Sequence, residues 1–153
     1  MLKTKIGFIL LLLVLAIAVY FYYIFDKSYI LSSEAKKYYA AGDFKEASEL
    51  AQKAYELNSY NRMAFTVLVQ SQESLKWKKY IEETRKYVAF IEGVSYKEFI
   101  PKGDMVRIKM ICEISIANHE KLNQNNMLID PALKTEANRL HQEILAIKHE
   151  LFD

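Results

Sequence analysis

Residues 42–57 read GDFKEASELAQKAYEL, and the fold turns on them. Gly42 supplies a residue that enters the left-handed region freely and so closes a preceding helix, while Asp43 and Glu46, at Asp-x-x-Glu spacing, cap a following one. Within that second helix Ala47, Leu50, Ala51, Ala54 and Leu57 recur at intervals of three and four, which makes one face apolar and small. A neighbouring helix can approach such a face closely. The stretch therefore predicts a tight antiparallel helical hairpin.

Extending outward, Tyr38 precedes the turn, Phe44, Lys45 and Glu46 open the second helix, and Asn61 follows it. Over Ser28–Asn61 this pattern resembles a tetratricopeptide repeat, a pair of antiparallel helices about 34 residues long. Of the two positions Glu34 and Ala35, where an apolar and a small residue are usual, the sequence departs from the family at Glu34. It departs again at Asn58, Ser59, Tyr60 and Asn61, where a proline usually ends the unit. Residues 62–93 fit a second, degenerate unit, with Ala64, Phe65 and Leu68 in its first helix and Trp77, Tyr80, Thr84 and Tyr87 in its second. The region of Leu75 and Lys76 stands at its turn in place of a glycine. The resemblance implies a groove lined by the first helices that receives peptides or partner helices. Its positions would be Tyr29, Ser32, Lys36 and Tyr39 in the first unit, and Met63, Thr66, Gln70 and Glu73 in the second. Lys36 is the one cation in that set, so the basic clamp by which the family captures a terminal carboxylate is not reproduced. The alternative is a groove filled by the chain's own last helices.

Repeat stacks need about three units to be stable, so residues 94–153 are expected to cover the open side. Gly93 reads as a helix stop, 94–103 as a connector containing Pro101, and 104–153 as two further helices, the first N-capped by Asp104. Val106, Ile108, Met110, Cys112, Ile114 and Ile116 alternate at the period of a strand. A helix is expected there nonetheless, because a strand over 105–117 would be about twice the usual length and without a partner. In the last helix Asp130 and Pro131 form an N-cap followed by proline at the first position. Leu133, Ala137, Leu140, Ile144, Ile147 and Leu151 then mark a heptad seam, suited to packing as the domain's final layer or, alternatively, to a homo-oligomer.

At the other end, Ile6–Phe25 is uncharged, preceded by Lys3 and Lys5 and followed by Asp26 and Lys27. At about 1.5 Å per residue it spans roughly 30 Å, the hydrocarbon thickness of a bilayer. Ala16 and Ala18 have the spacing of a signal-peptide cleavage site, but the apolar run continues through Phe25, which favours a retained anchor. A short basic tail ahead of the first apolar run places the N-terminus in the cytoplasm and the remainder outside it, periplasmic in a bacterial envelope, with Tyr20, Tyr22, Tyr23 and Tyr29 near the outer interface.

All 19 acidic residues lie beyond residue 25, and of the 21 Lys and Arg only Lys3 and Lys5 precede it. The remainder is thus formally neutral, which argues against nucleic acid as a partner. Lys76, Lys78, Lys79, Arg85 and Lys86 cluster around Trp77 and Tyr80, but Glu82 and Glu83 interrupt them, the pattern of a solvated helix face. Cys112 is the lone cysteine and reads as a buried, inert thiol. His119, His141 and His149 lack metal-ligand spacing and read as surface residues. No phosphate loop, cysteine pair or nucleophile elbow is present, so no catalytic residue or cofactor is assigned.

The expectation is an all-α protein with one N-terminal transmembrane helix (1–25 with its tail), then a tetratricopeptide-like helical domain over 26–153 carrying two additional C-terminal helices. Its expected role is a membrane-anchored scaffold or adaptor within an envelope complex, acting by protein contacts alone. The alternative is an assembly factor or chaperone for membrane-protein subunits, its domain cytoplasmic.

Overall fold

The computed structural model describes residues 2–24, 26–96 and 99–152. It is all-α: α1 (Leu2–Ile24), α2 (Lys27–Ala40), α3 (Phe44–Leu57), α4 (Arg62–Ser95), α5 (Lys102–Glu120) and α6 (Pro131–Phe152), with no strand among the described residues. The chain divides into two compact units, Met1–Ser71 and Gln72–Asp153, and α4 runs through the boundary.

In the first unit the hairpin forms from the residues that forecast it. Gly42 has φ +79°, and the turn closes by two bonds, Gly42 N–H to Tyr39 C=O and Asp43 N–H to Tyr38 C=O, each 3.0 Å. This pairing satisfies the last carbonyls of α2 only if the intervening residue is left-handed, a conformation that costs a residue with a Cβ roughly 1–2 kcal/mol. Asp43 Oδ1 then accepts from Glu46 N–H at 3.3 Å and caps α3. The reciprocal half of the capping box is replaced, since the Asp43 N–H is already committed to Tyr38.

Ala35 of α2 and Ala47, Ala51 and Ala54 of α3 are completely buried, and Leu50, Val67 and Leu68 pack with Ala35, Ala47 and Ala51. Small residues let the helix backbones come close and leave no room for a longer side chain. Ala47→Leu is therefore expected to destabilise the protein by about 1–3 kcal/mol, through strained rotamers or helix displacement. Thermal unfolding followed by circular dichroism checks this, and an unchanged midpoint would contradict the packing.

α1 is continuous, and its large apolar side chains from Ile9 to Tyr22 are 46–77 % exposed. Among the described residues no single helix is long and apolar enough to cross a membrane. Side chains are described without interruption from Ile9 to Tyr22, roughly 21 Å of helix at about 1.5 Å per residue. The expected span begins before that stretch and ends at Phe25, and both of its ends, with Lys3 and Lys5, lie outside the described side chains.

The second hairpin expected over 62–93 is not present. α4 is one unbroken helix of 34 residues, because the Leu75–Lys76 region contains good helix formers and no glycine or proline to end it. Gly93 does not stop the helix either. Val94 is still buried, and the helix ends at Ser95, whose Oγ donates to Ile91 C=O at 2.9 Å.

The core of the second unit is built from one face each of α4, α5 and α6. Trp77, Ile81, Val88 and Ile91 meet Ile108, Ile111 and Cys112, and Ala137, Leu140 and Ile144 close the layer. The seam from Leu133 to Leu151 thus packs as the final layer of this unit, with Ala137, Leu140 and Ile144 buried and Leu133, Ile147 and Leu151 partly so. Residues 105–117 lie in helix α5. Its N-cap is Pro101, not Asp104, which sits in the first turn, and the first helical bond is Met105 N–H to Pro101 C=O at 3.1 Å. At α6, Asp130 Oδ1 accepts from Ala132 N–H at 2.8 Å, with Pro131 at the first helical position. On the surface Arg85 of α4 donates from two nitrogens to Glu136 of α6, which Arg139 also contacts, and these cations hold the Glu136 carboxyl down at about 2.

Candidate functional site

The outer face of α2 forms an open groove of about 810 Å³ in the first unit. Tyr29, Ile30, Ser33, Glu34, Lys37, Tyr38 and Ala41 line it from α2 and its C-terminal end, and Met63 from the start of α4. What orients α2 this way is its other face. Ser28, Ser32 and Ala35 are buried at intervals of four and three, with Tyr39 continuing the stripe against Phe44 at a ring separation of 5.3 Å. With that stripe turned inward, Tyr29, Ile30, Ser33, Lys37 and Tyr38 face outward.

A buried polar clasp fixes the geometry. Ser28 Oγ donates to Ala54 C=O at 2.8 Å and Ser32 Oγ to Tyr29 C=O at 3.0 Å. Asn61, itself 1 % exposed, donates from Nδ2 to both hydroxyls, at 2.9 and 3.1 Å, and accepts from Ala64 N–H through Oδ1 at 3.1 Å. One side chain thereby caps α4 and ties it to α2, while Ser28 ties α2 to the end of α3. Every polar atom of Asn61's amide is satisfied, which is what makes its burial tolerable.

Of the residues expected in a groove, Tyr29 and Met63 line this one. Ser32 is buried in the clasp and Tyr39 packs against the hairpin core, so neither is free for a partner. Lys36 is exposed but outside the groove, and Thr66 and Gln70 lie further along α4, also outside it. Glu73 belongs to the second unit and pairs with Lys76. Within the first unit the groove thus brings together Tyr29 and Met63 of the expected set. Ile30, Ser33, Glu34, Lys37, Tyr38 and Ala41 were missed. The signal for them was the small-residue stripe Ser28, Ser32 and Ala35, which marks the inward face and so places these residues outward.

In the second unit His149 is exposed as expected, whereas His119 and His141 are half-buried. His119 of α5 and His141 of α6 stack with ring centroids 3.8 Å apart and planes within 7°, and Tyr80 of α4 lies 5.4 Å from His119. His119 Nε2 is 2.9 Å from Asn138 Oδ1. His141 Nδ1 and the Tyr80 hydroxyl are buried without a hydrogen-bond partner among the described residues. Among the described residues no group of three potential ligands could hold a metal. Burial above all, and His119 second, push His141 below the ordinary histidine value of 6.5, against an opposing effect of Glu120. A histidine depressed in the folded state contributes stability that is present above its unfolded pKa and lost as pH falls through the folded one. Acidification from about pH 7 to about pH 5 should thus lower the melting temperature more for the wild type than for His141→Asn. Parallel curves for the two proteins would show that the stack does not report pH. Cys112 is buried, and its thiol is pushed above its ordinary value by burial, with Lys148 opposing.

No protein-family model matches the chain, and comparison with curated proteins and with solved structures gives no match.

Proposed function

We propose that the protein is a membrane-anchored scaffold or adaptor that holds a partner protein in the groove on the outer face of α2. The observation that carries this reading is the groove's lining. It combines Tyr29 and Tyr38, the apolar Ile30 and Met63, and one charge of each sign, Glu34 and Lys37. Aromatic and Met side chains with a few polar groups at the edge are the composition of a protein interface, and tyrosines give large contact area at small entropic cost.

A tetratricopeptide-like hairpin presenting such a face is consistent with this role. So is the anchor. The uncovered apolar surface of α1 from Ile9 to Tyr22 supports its burial in a bilayer, with the basic N-terminus on the cytoplasmic side and the domain outside. Confinement of two anchored proteins raises their effective concentration, so modest groove contacts suffice for stable association. The reading assigns the protein no catalytic step.

The test is site-specific photo-crosslinking in intact cells, with the crosslinker placed at Ile30 or Tyr38 in the groove and at exposed Lys53 on α3 as control. The groove positions are expected to capture the same membrane-complex protein, in fixed proportion, and the control to capture none. Equal capture at all three positions would remove the groove from the function. Capture confined to newly made subunits would favour an assembly factor over a scaffold.

A further inference from the structure

α5 carries more apolar surface than its own unit uses. Ile108, Ile111 and Cys112 face the core, yet Val106, Met110 and Ile114, spaced four apart on another side of the helix, are 61 %, 54 % and 45 % exposed. This second stripe is the origin of the strand-like alternation in the sequence. Beside it Tyr87 and Phe90 of α4 are only partly buried, and between the two helices lies a groove of about 370 Å³. Among the described residues its lining includes two charged side chains, Lys86 and Arg107, both cationic, and no carboxylate. The Arg107 guanidinium lies 4.3 Å from the centre of the Phe90 ring, which holds the charge at the rim of an apolar floor.

We propose that this groove in the second unit is a docking site for an acidic amphipathic helix of a partner protein, one whose apolar stripe is flanked by Asp and Glu. A ridge of apolar side chains fills a concave apolar floor, and carboxylates on its flanks meet Lys86 and Arg107. Self-association fits poorly: a two-fold contact brings a surface against its own copy, and this lining would oppose cations to cations. The chain's own α1 does not match either, since Leu2–Ile24 contains no carboxylate. A flat lipid surface calls for protruding rather than recessed apolar groups. This site is separate from the groove on α2, and its failure would leave that reading untouched.

The probe is a labelled synthetic helix about four turns, or roughly 22 Å, long with a leucine stripe flanked by glutamates, compared with the same peptide carrying lysines in place of the glutamates. Each is titrated by fluorescence anisotropy against the full chain in mild non-ionic detergent, which covers α1. The acidic peptide is expected to bind about tenfold more tightly or better. The double reversal Lys86→Glu with Arg107→Glu should invert that preference at unchanged helical content, and Met110→Ser should weaken both peptides. Equal binding of the two peptides, or a preference that survives the reversal, would overturn the proposal. So would a dimer, seen by sedimentation and abolished by Met110→Ser, with no peptide bound. Flotation with anionic vesicles that depends on Lys86 and Arg107, again without peptide binding, would overturn it in favour of a lipid surface.

Discussion

Replacing Trp77 by alanine should destabilise the second unit by about 3–5 kcal/mol, the range for removing a large aromatic side chain from a core. Trp77 is completely buried on α4 and belongs to the cluster that contains Ile108 and Cys112 of α5 and Leu140 and Ile144 of α6. Its removal takes packing from three helices at once. Stabilities of 5–15 kcal/mol are usual for domains, so the loss is large enough to unfold a substantial fraction of molecules at moderate temperature. The indole N–H has no hydrogen-bond partner among the described residues, and that sets up a contrasting variant. Trp77→Phe removes some apolar area but also an unpaired buried donor, whose burial costs about 1–3 kcal/mol. The two changes oppose each other, so Trp77→Phe should remain within about 1 kcal/mol of the wild type. Since Trp77 is the single tryptophan, circular dichroism during urea unfolding is the appropriate readout for both variants. Equal stability of Trp77→Ala and wild type would show that the cluster does not hold the unit together.

What the sequence disclosed and what it hid divide along a physical line. The hairpin from Lys27 to Leu57 was legible because its signals are local. Gly42 is needed where φ is +79°, and Asp43 is needed where α3 begins. The start of α6 was legible for the same reason, through Asp130 and Pro131. By contrast, the second hairpin was drawn by analogy with the first, at Leu75 and Lys76, where no residue has turn chemistry, and the chain continues as one helix. The strict alternation in α5 has two owners, a core face through Ile108 and Cys112 and an exposed stripe through Val106, Met110 and Ile114. Periodicity cannot distinguish a second buried face from a surface left open. The groove on α2 shares Tyr29 and Met63 with the positions that repeat alignment implies, but not Ser32, which is buried. Repeat alignment put Ser32 and Tyr39 outward, whereas the spacing of Ser28, Ser32 and Ala35 already described a face meant for close approach. The His119–His141 stack was invisible in sequence, because it joins residues of α5 and α6 that only tertiary packing brings together.

The same distinction between local and long-range signals makes Asn61 the most telling position in the first unit. Asn61→Ala is expected to cost about 2–4 kcal/mol. Loss of an N-cap acceptor accounts for about 1 kcal/mol, and each of the two buried bonds from Nδ2 adds roughly another 1 kcal/mol. Both serine hydroxyls already donate elsewhere, Ser28 to Ala54 C=O and Ser32 to Tyr29 C=O, so each uses Asn61 as its donor and would be left with an unmatched lone pair. Asn61→Ser separates the contributions, since serine keeps an oxygen at the cap but has no amide to reach both hydroxyls. It should recover about 1 kcal/mol relative to alanine, the worth of the cap alone. Because the clasp orients α2, Asn61→Ala should also reduce crosslinking from Ile30 and Tyr38 at temperatures where the helical signal is still intact. A melting temperature unchanged by Asn61→Ala would mean that the bonds to Ser28 and Ser32 contribute nothing net. Lost stability with unchanged crosslinking would instead mean that the groove holds its shape through the Ala35–Ala47–Ala51 packing alone.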